Sequence, residues 1–311
     1  MAEAPVNLFL PNRIKRKGFA RLPKFYDLLE RVLLDRGLEV QKWDQDAYSD
    51  PQFEGGRCVT YHTKIARPNW LNVKGSYLKE FFHVDPEGYA GFSSMRNRWF
   101  EPDQVHGRKA RKFYDRLHRY YVEGQRTKYG KFDDAGAEIP EGCVAVFLQK
   151  QDDVTVDLAH MTTAQMIETV LASRRSRPVV IKRHPWCQDD RVREILAGYA
   201  SDKAEVFICQ ANVHTILEKA DHVACVNSGT GFEALLHLKP VTLFGRSDYF
   251  PATTTCRDPI QGPDLLSGPA PKPDWIKKFL YWYLAENLVS PRFCDPEKQL
   301  HRIFESQGWG T

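Results

Sequence analysis

The stretch VNSGTGFEALL, residues 226–236, reads as a strand that halts at a small polar turn and restarts as a helix. Ser228, Gly229, Thr230 and Gly231 give the turn little side-chain bulk, and Phe232, Ala234, Leu235 and Leu236 follow at once as an apolar helix face. Amides left unpaired at a helix start attract anions, by roughly 0.3–1 kcal/mol when exposed and more when partly buried. A plain strand-to-helix connection with Ser228 as N-cap explains the same residues. The dinucleotide fingerprint G-x-G-x-x-G does not apply, because Phe232 and Glu233 follow Gly231. The flanking chain has to decide between the two readings.

Around this stretch the second half of the chain alternates strand and helix with short connections, the pattern of a parallel α/β sheet. CVAVFLQ (143–149), PVVIK (178–182), EVFICQ (205–210), HVACVN (222–227) and PVTLF (240–244) predict five strands, each apolar enough to be buried on both faces. TTAQMIETVLASR (162–174), DDRVREILAGYA (189–200), NVHTILEKA (212–220) and FEALLHL (232–238) predict the helices between them. The first half opens in the same way, with VNLFL (6–10) as a strand, a helix over 22–37 ended by Gly37, and LEVQKW (38–43) as a second strand. From Asp44 to about Glu138 the pattern blurs into loops, aromatics and basic residues. The Gly/Pro/acidic run FDDAGAEIPEG (132–142) suits a linker. The expected domains are therefore 1–140 and 141–285, with helices in 286–311 packing on the sheet or crossing back to the first domain.

With 311 residues there is room for two domains of ordinary size. The 42% hydrophobic and 27% charged composition is that of a soluble globular protein. No apolar run approaches the ~20 residues that cross a bilayer, and the start of the sequence lacks signal-peptide order, so the expected location is the cytoplasm. Seven scattered cysteines without a C-x-x-C pair read as reduced core residues, with neither a zinc site nor a disulfide frame.

The net charge of +4 is concentrated in two stretches, residues 12–26 and residues 107–132. The second interleaves Arg108, Lys109, Arg111, Lys112, Arg116, Arg119, Arg126 and Lys128 with Phe113, Tyr114, Tyr120, Tyr121 and Tyr129. Such a segment suits nucleic acid, an anionic glycan or an anionic membrane face, and a solvated helix face with aromatic anchors explains it equally well. No nucleic-acid motif accompanies it, so nucleic acid is not an expected partner.

In a parallel sheet the segments leaving the C-terminal strand ends share one rim, where ligands bind. Here those segments carry Gln149 with Asp152 and Asp153, then Lys182 with His184, then Ser228 to Thr230, then Arg246 and Tyr249. Together they would line one cleft for an anionic ligand. Taken singly, each has a plainer account: Asp152 and Asp153 as caps or solvated groups, His184 as a turn residue before Pro185, and Glu233 as a carboxylate suited to a helix dipole. Four incidental polar segments on one rim is the weaker reading.

VVIKRHP (179–185), followed by VNSGTGFEALLHLKPVTLFGRSDY (226–249), resembles the K-x-H-P and S-x-x-x-x-E-A-L-x-x-x-K-P-V signatures of the capsule polysaccharide biosynthesis family, which contains retaining β-Kdo glycosyltransferases. LQKQDD (148–153) is similar to the Gln-then-Asp element that precedes them, and the resemblance covers roughly residues 144–249. It implies two Rossmann-like domains of the GT-B kind, with the nucleotide on the second and the acceptor on the first. The donor would be CMP-Kdo, with no other cofactor. Asp153 would match the nucleophilic carboxylate and His184 the histidine beside the departing phosphate. Ser228, Gly229 and Thr230 would hold that phosphate, Glu233 the ribose hydroxyls, and Lys182 would balance charge. Asp152 competes with Asp153, one residue of register apart.

Asp44-Gln45-Asp46 spells D-x-D, a metal signature of another fold; here it is expected to cap a loop, and no metal is expected. Arg13, Lys15, Arg16 and Lys17 are expected on the acceptor side, suited to an acidic glycan or a lipid-linked acceptor, with peripheral contact to the inner face of an anionic membrane. Two alternatives stay open: a transferase of the same fold with another nucleotide-sugar or pentose donor, and a non-catalytic glycan-binding protein of capsule assembly.

Overall fold

The computed structural model describes residues 4–12, 21–128, 138–202, 205–259, 265–266 and 271–310. The chain divides into two compact units, residues 1–98 with 283–311, and residues 99–282. Arg13, Lys15, Arg16 and Lys17 lie outside the described residues.

In the first unit β1 (Val6–Leu10), β2 (Val40–Asp44), β3 (Arg57–Tyr61), β4 (Trp70–Gly75) and β5 (Phe82–Asp85) form a sheet ordered β2-β1-β3-β4-β5. All neighbours run parallel except β5, which is antiparallel to β4. Helix α1 (Arg21–Asp35) buries Phe25, Leu29 and Val32 against Leu8, Val59 and Leu71. It stops at Gly37, whose φ of +74° lets Leu38 N–H reach the Leu33 carbonyl and Gly37 N–H the Leu34 carbonyl, a Schellman cap. The C-terminal helix, Pro296–Ser306, belongs to this unit: Phe304 and Trp309 join the same core, and Arg36 donates to the carbonyls of Trp309 at 2.8 Å and Gly310 at 2.7 Å. Of the two expectations for the C-terminal piece, it returns to the first unit. Asp44 stands at the N-cap of the 3-10 turn 45–49, but its side chain makes no cap bond there.

The second unit begins with α2 (Gly107–His118) and holds β6 (Cys143–Phe147), α3 (Thr163–Ser173), β7 (Val179–Lys182), α4 (Asp190–Asp202), β8 (Val206–Cys209), α5 (Val213–Lys219), β9 (Ala220–Cys225), α6 (Gly229–Leu236), β10 (Val241–Leu243), β11 (Thr254–Thr255) and α7 (Pro273–Leu280). Its sheet is wholly parallel in the order β11-β10-β9-β6-β7-β8, the five expected strands plus the two-residue β11. Val144, Val146, Val179, Ile181 and Ala224 are all fully buried, as strands covered on both faces require.

The unit boundary at 98/99 corrects the expected one near residue 140. Helix α2 buries Ala110, Phe113, Tyr114 and Leu117, and the Tyr114 hydroxyl donates to the Leu236 carbonyl at 2.7 Å. Its basic residues Arg108, Lys109, Arg111, Lys112 and Arg116 are exposed on the other face. Composition marked the segment as unusual; the partner of its apolar stripe set its domain.

Candidate functional site

Strands β6 and β9 lie side by side, and the chain runs outward from them in opposite directions, through β7 and β8 on one side and β10 and β11 on the other. Such a reversal opens a crevice at the carboxyl ends of the two strands. Gln149 and the turn to Asp153 leave β6 there, and Asn227 to Thr230 leave β9. The rim is tied together. Asn227 Nδ2 donates to the carbonyls of Thr155 at 3.0 Å and Arg246 at 3.3 Å, and Arg246 N–H donates to the Leu158 carbonyl at 2.8 Å. Gly245 allows this approach, since a Cβ there would stand 2.8 Å from both the Leu158 carbonyl and Val226 Cγ1.

The two aspartates differ. Both are exposed, but Asp152 is paired with Lys150 at 2.7 Å, which holds its carboxyl below the usual range. Asp153 caps the 3-10 turn Val154–Leu158, its Oδ1 accepting from Thr155 N–H at 3.0 Å and Thr155 Oγ1 at 2.8 Å. It stands within electrostatic reach of His184 and Lys128. His184 Nδ1 accepts the Trp186 N–H at 3.2 Å, which assigns the neutral ring's proton to Nε2. Burial holds the imidazole below its ordinary pKa, Asp153 opposes that, and Lys150, Lys128 and Lys182 reinforce it. Lys182 itself ends β7 and is buried.

At the opening turn, Ser228 is the N-cap of α6, its hydroxyl accepting from Thr230 N–H at 3.2 Å. The cap reading and the anion reading coexist, because an N-cap satisfies only one of the unpaired amides of a helix start. Gly231 is required by packing: a Cβ there would stand 2.6 Å from Tyr249 Oη and 2.7 Å from Cys225 Sγ. Tyr249 departs from its expected place in the cleft. It is completely buried, and its hydroxyl donates to the Ser228 carbonyl at 2.7 Å, bracing the turn from behind. Arg246 is exposed on the rim.

Glu233, in the second turn of α6, is buried; burial pushes its carboxyl up to about 8, against the pull of Lys128 and of a hydrogen bond from the Lys128 backbone N–H. Two buried acceptors at the crevice, Gln149 Oε1 and Asn227 Oδ1, have no hydrogen-bond partner among the described residues. A buried acceptor left unpaired costs about 1–3 kcal/mol, which a donor-bearing ligand would recover. Among the described residues no three His, Cys, Asp or Glu side chains gather as metal ligands. A cavity of about 340 Å³, lined by His222, Val241, Thr254 and Trp275 among others, opens at the amino ends of β9 and β10, away from these groups.

Thus Asp153, His184, Lys182, Glu233, Gln149 and the Ser228 turn are gathered at one crevice of a single unit, while Asp152 pairs with Lys150 and Tyr249 is a brace. The sequence reading missed Lys128 and the structural parts of Asn227 and Thr155. Thr155 was readable as the partner of an Asp-x-Thr turn; nothing in spacing pointed from Lys128 to Glu233.

The model of the family described as capsule polysaccharide biosynthesis protein matches residues 98–257, just over half of the chain. Capsule polysaccharide modification protein LipA of Neisseria meningitidis is 26% identical over 140 residues, 43% of this chain and 20% of LipA, so the chain spans about a fifth of that relative. Among solved structures, the Thermosulfurimonas dismutans KpsC beta Kdo 2,7 transferase is similar with a TM-score of 0.57 and 14% identity, over 97% of this chain and 99% of that one. The KpsC beta Kdo 2,4 transferase of the same organism gives a TM-score of 0.53 and 18% identity over 90% of each chain. Both likenesses are of fold, two Rossmann-like domains of the GT-B kind. With the motifs of residues 148–249 inside the matched range, the chain belongs to the capsule polysaccharide biosynthesis protein family.

Proposed function

We propose that the chain is a glycosyltransferase of capsule or O-antigen polysaccharide synthesis that moves Kdo from CMP-Kdo to a glycan or lipid-linked glycan acceptor with retention of configuration. The observation that carries this reading is the meeting, at the crevice between β6 and β9, of the Asp153 carboxylate, the His184 imidazole and the amino end of α6. A carboxylate is a competent nucleophile toward an oxocarbenium-like carbon, and a second displacement restores the configuration.

In the first step Asp153 Oδ2 bonds to the anomeric carbon while the carbon–oxygen bond to the phosphate breaks and CMP leaves with the electron pair. The turn holds the carboxylate by Oδ1, which keeps the other oxygen in a fixed direction. The departing phosphate takes up charge without needing a proton, so His184 Nε2–H and the amides of Gly229 and Thr230 serve by electrostatic stabilisation. In the second step the acceptor hydroxyl oxygen attacks the same carbon, the Asp153 ester opens, and the hydroxyl proton passes to solvent. Glu233, held neutral near pH 7, can both donate to and accept from ribose hydroxyls. The Lys150 pair on Asp152, and the coupling of Asp153 to His184, favour Asp153 over its neighbour as nucleophile. The names of KpsC and LipA agree with a capsule role and with Kdo as the sugar.

The test is thermal unfolding with CMP, UDP, GDP and ADP, each at about 100 times its dissociation constant, where a ligand adds about 2.7 kcal/mol. A shift with CMP alone supports the reading. A shift with a different nucleotide keeps the fold and replaces the donor, and no shift with any of the four rejects it. Incubation with CMP-Kdo, followed by peptide mass analysis, should find the sugar on Asp153; finding it on Asp152 would move the nucleophile by one residue.

A further inference from the structure

The carboxylate assigned as nucleophile is held by Thr155, and Thr155 is itself held by two buried carboxamides. Thr155 N–H and Oγ1–H donate to Asp153 Oδ1 at 3.0 and 2.8 Å. Gln149 Nε2 lies 2.5 Å from Thr155 Oγ1, and Asn227 Nδ2 donates to the Thr155 carbonyl at 3.0 Å. Gln149 stands just past the end of β6 and Asn227 just past the end of β9, so the two strands at the reversal each send one amide to the same residue. The turn is pinned at its far end as well, where Arg246 N–H donates to the Leu158 carbonyl at 2.8 Å and His160 N–H to the Phe244 carbonyl at 2.9 Å.

The direction of these bonds follows from what each group can do. A carboxylate only accepts, so the single proton of the Thr155 hydroxyl points to Asp153, and Oγ1 accepts from Gln149. That fixes the Gln149 NH2 group on Thr155 and leaves Oε1 as the open acceptor. Asn227 Nδ2 donates to two carbonyls, those of Thr155 at 3.0 Å and Arg246 at 3.3 Å, which likewise leaves Oδ1 over. Gln149 and Asn227 are only 8% and 6% exposed, and neither oxygen has a hydrogen-bond partner among the described residues. A plain N-cap explains the two bonds to Asp153, but it needs neither carboxamide and leaves both oxygens unaccounted for. Two amide oxygens are satisfied by proton donors and repel an anion. In the reading above the α6 turn takes the phosphate and Glu233 the ribose, which leaves these oxygens to the sugar that bonds to Asp153.

We propose that Thr155 is the positioning residue of the nucleophile, and that Gln149 and Asn227, which hold it, read hydroxyl groups of the transferred sugar through Oε1 and Oδ1. The proposal rests on the reading of Asp153 as the nucleophile of a nucleotide-sugar site. Each carboxamide then has two uses. Its NH2 group helps to aim the carboxylate, and its oxygen admits a hydroxylated sugar while rejecting one that would leave a buried acceptor unpaired. Sugar specificity and nucleophile geometry are thereby joined through one threonine.

The test compares the full chain with Thr155→Val, Thr155→Ser and Gln149→Leu, each checked for folding by its melting curve. CMP affinity is read by calorimetric titration. Formation of the glycosyl-enzyme from CMP-Kdo is read as CMP release in a single turnover, which gives a saturating rate and a half-saturating concentration. Thr155→Val keeps the shape and the backbone N–H but loses the hydroxyl, so the saturating rate should fall about ten- to a hundredfold with CMP affinity unchanged, and Thr155→Ser should restore most of it. A lower melting temperature with an unchanged rate would make Thr155 a cap alone and overturn its positioning role. Gln149→Leu should raise the half-saturating CMP-Kdo concentration about tenfold without weakening CMP. Equal weakening of CMP and CMP-Kdo would move these oxygens to the nucleotide and overturn their assignment to the sugar. If the unaltered protein binds CMP and forms the glycosyl-enzyme, and both Thr155→Val and Gln149→Leu match it, the inference is overturned while the reading of the crevice stands. If the unaltered protein binds another of the four nucleotides, the comparison is made with that nucleotide and its sugar conjugate. If it binds none, or binds one and forms no glycosyl-enzyme, the reading of Asp153 and the inference fall together.

Discussion

The first unit spends the buried polar groups of β4 and β5 on itself, whereas the second leaves some of those at its carboxyl strand ends facing a crevice. Asn72 Oδ1 accepts from Thr63 Oγ1 at 2.6 Å and Ile65 N–H at 2.9 Å, and its Nδ2 donates to the carbonyls of Ile65 at 2.9 Å and Asp85 at 3.1 Å. Asp85 in turn accepts from the N–H groups of Glu87, Gly88 and Ser94 and from the Ser94 hydroxyl. In the second unit Gln149 and Asn227 are as deeply buried, yet each keeps one oxygen with no partner among the described residues. The first unit is not without such atoms, since Tyr26 Oη and Trp309 Nε1 also have no hydrogen-bond partner among the described residues, but those two residues sit in its apolar core. The contrast separates two uses of burial. Satisfied groups within a sheet hold the architecture, and unsatisfied ones beside a topological reversal are open to a ligand.

Four measurements break or sharpen that contrast. Asp153→Asn keeps the cap acceptor but removes the nucleophile, and turnover of CMP-Kdo should fall about a thousandfold or more, about 4 kcal/mol in the barrier, with the melting temperature unchanged. A loss below tenfold would remove Asp153 from the chemistry. Asn72→Leu deletes four bonds from a saturated network and strands their partners, so denaturant unfolding should show a loss of about 2–4 kcal/mol while nucleotide binding persists.

The third measurement uses pH. Because the folded-state pKa of Glu233 is raised to about 8 from an ordinary 4.5, the folded protein binds the extra proton between those values. Its contribution to stability is therefore full below the ordinary pKa and is lost as pH rises toward 8, on the order of 1–4 kcal/mol. Glu233→Gln should flatten that slope in melts taken from pH 5 to 8.5, and an unchanged slope would mean the carboxyl is ionised when folded. The smallest expected effect is that of Gln149→Leu, which removes an unpaired acceptor along with one bond to Thr155. Its stability should stay within about 1 kcal/mol of the original while ligand affinity drops about tenfold. A large loss of stability would place Gln149 with Asn72, among the structural groups.

Why the second sheet could be read in advance, and the first only in part, follows from the same chemistry. Val144, Val146, Val179, Ile181 and Val223 advertise burial on both faces by being apolar. Strands β3 to β5 carry Thr60, Asn72, His83 and Asp85 inside, and buried polar residues look like loop residues until their partners are known. The rim was legible because a parallel sheet delivers its strand ends to one side, which gathers Gln149, Asp153, His184 and Ser228 without any knowledge of side-chain contacts. What needed coordinates was direction. Asp152 and Asp153 differ by one residue and face different neighbours, Tyr249 turned out to support the turn from within, and the path that brings Lys128 N–H to Glu233 has no mark in the sequence.

The first unit is made of two pieces of chain, residues 1–98 and 283–311, separated by the 184 residues of the second. During synthesis its five strands leave the ribosome well before the helix Pro296–Ser306 and Trp309 that close their core. The second unit has all its parts by residue 282 and can fold while the first still exposes Phe25, Leu29 and Val32 to chaperones. A ribosome stalled anywhere in that interval would hold a finished second unit joined to an unfinished first one, which makes residues 283–311 the segment that completes the first core.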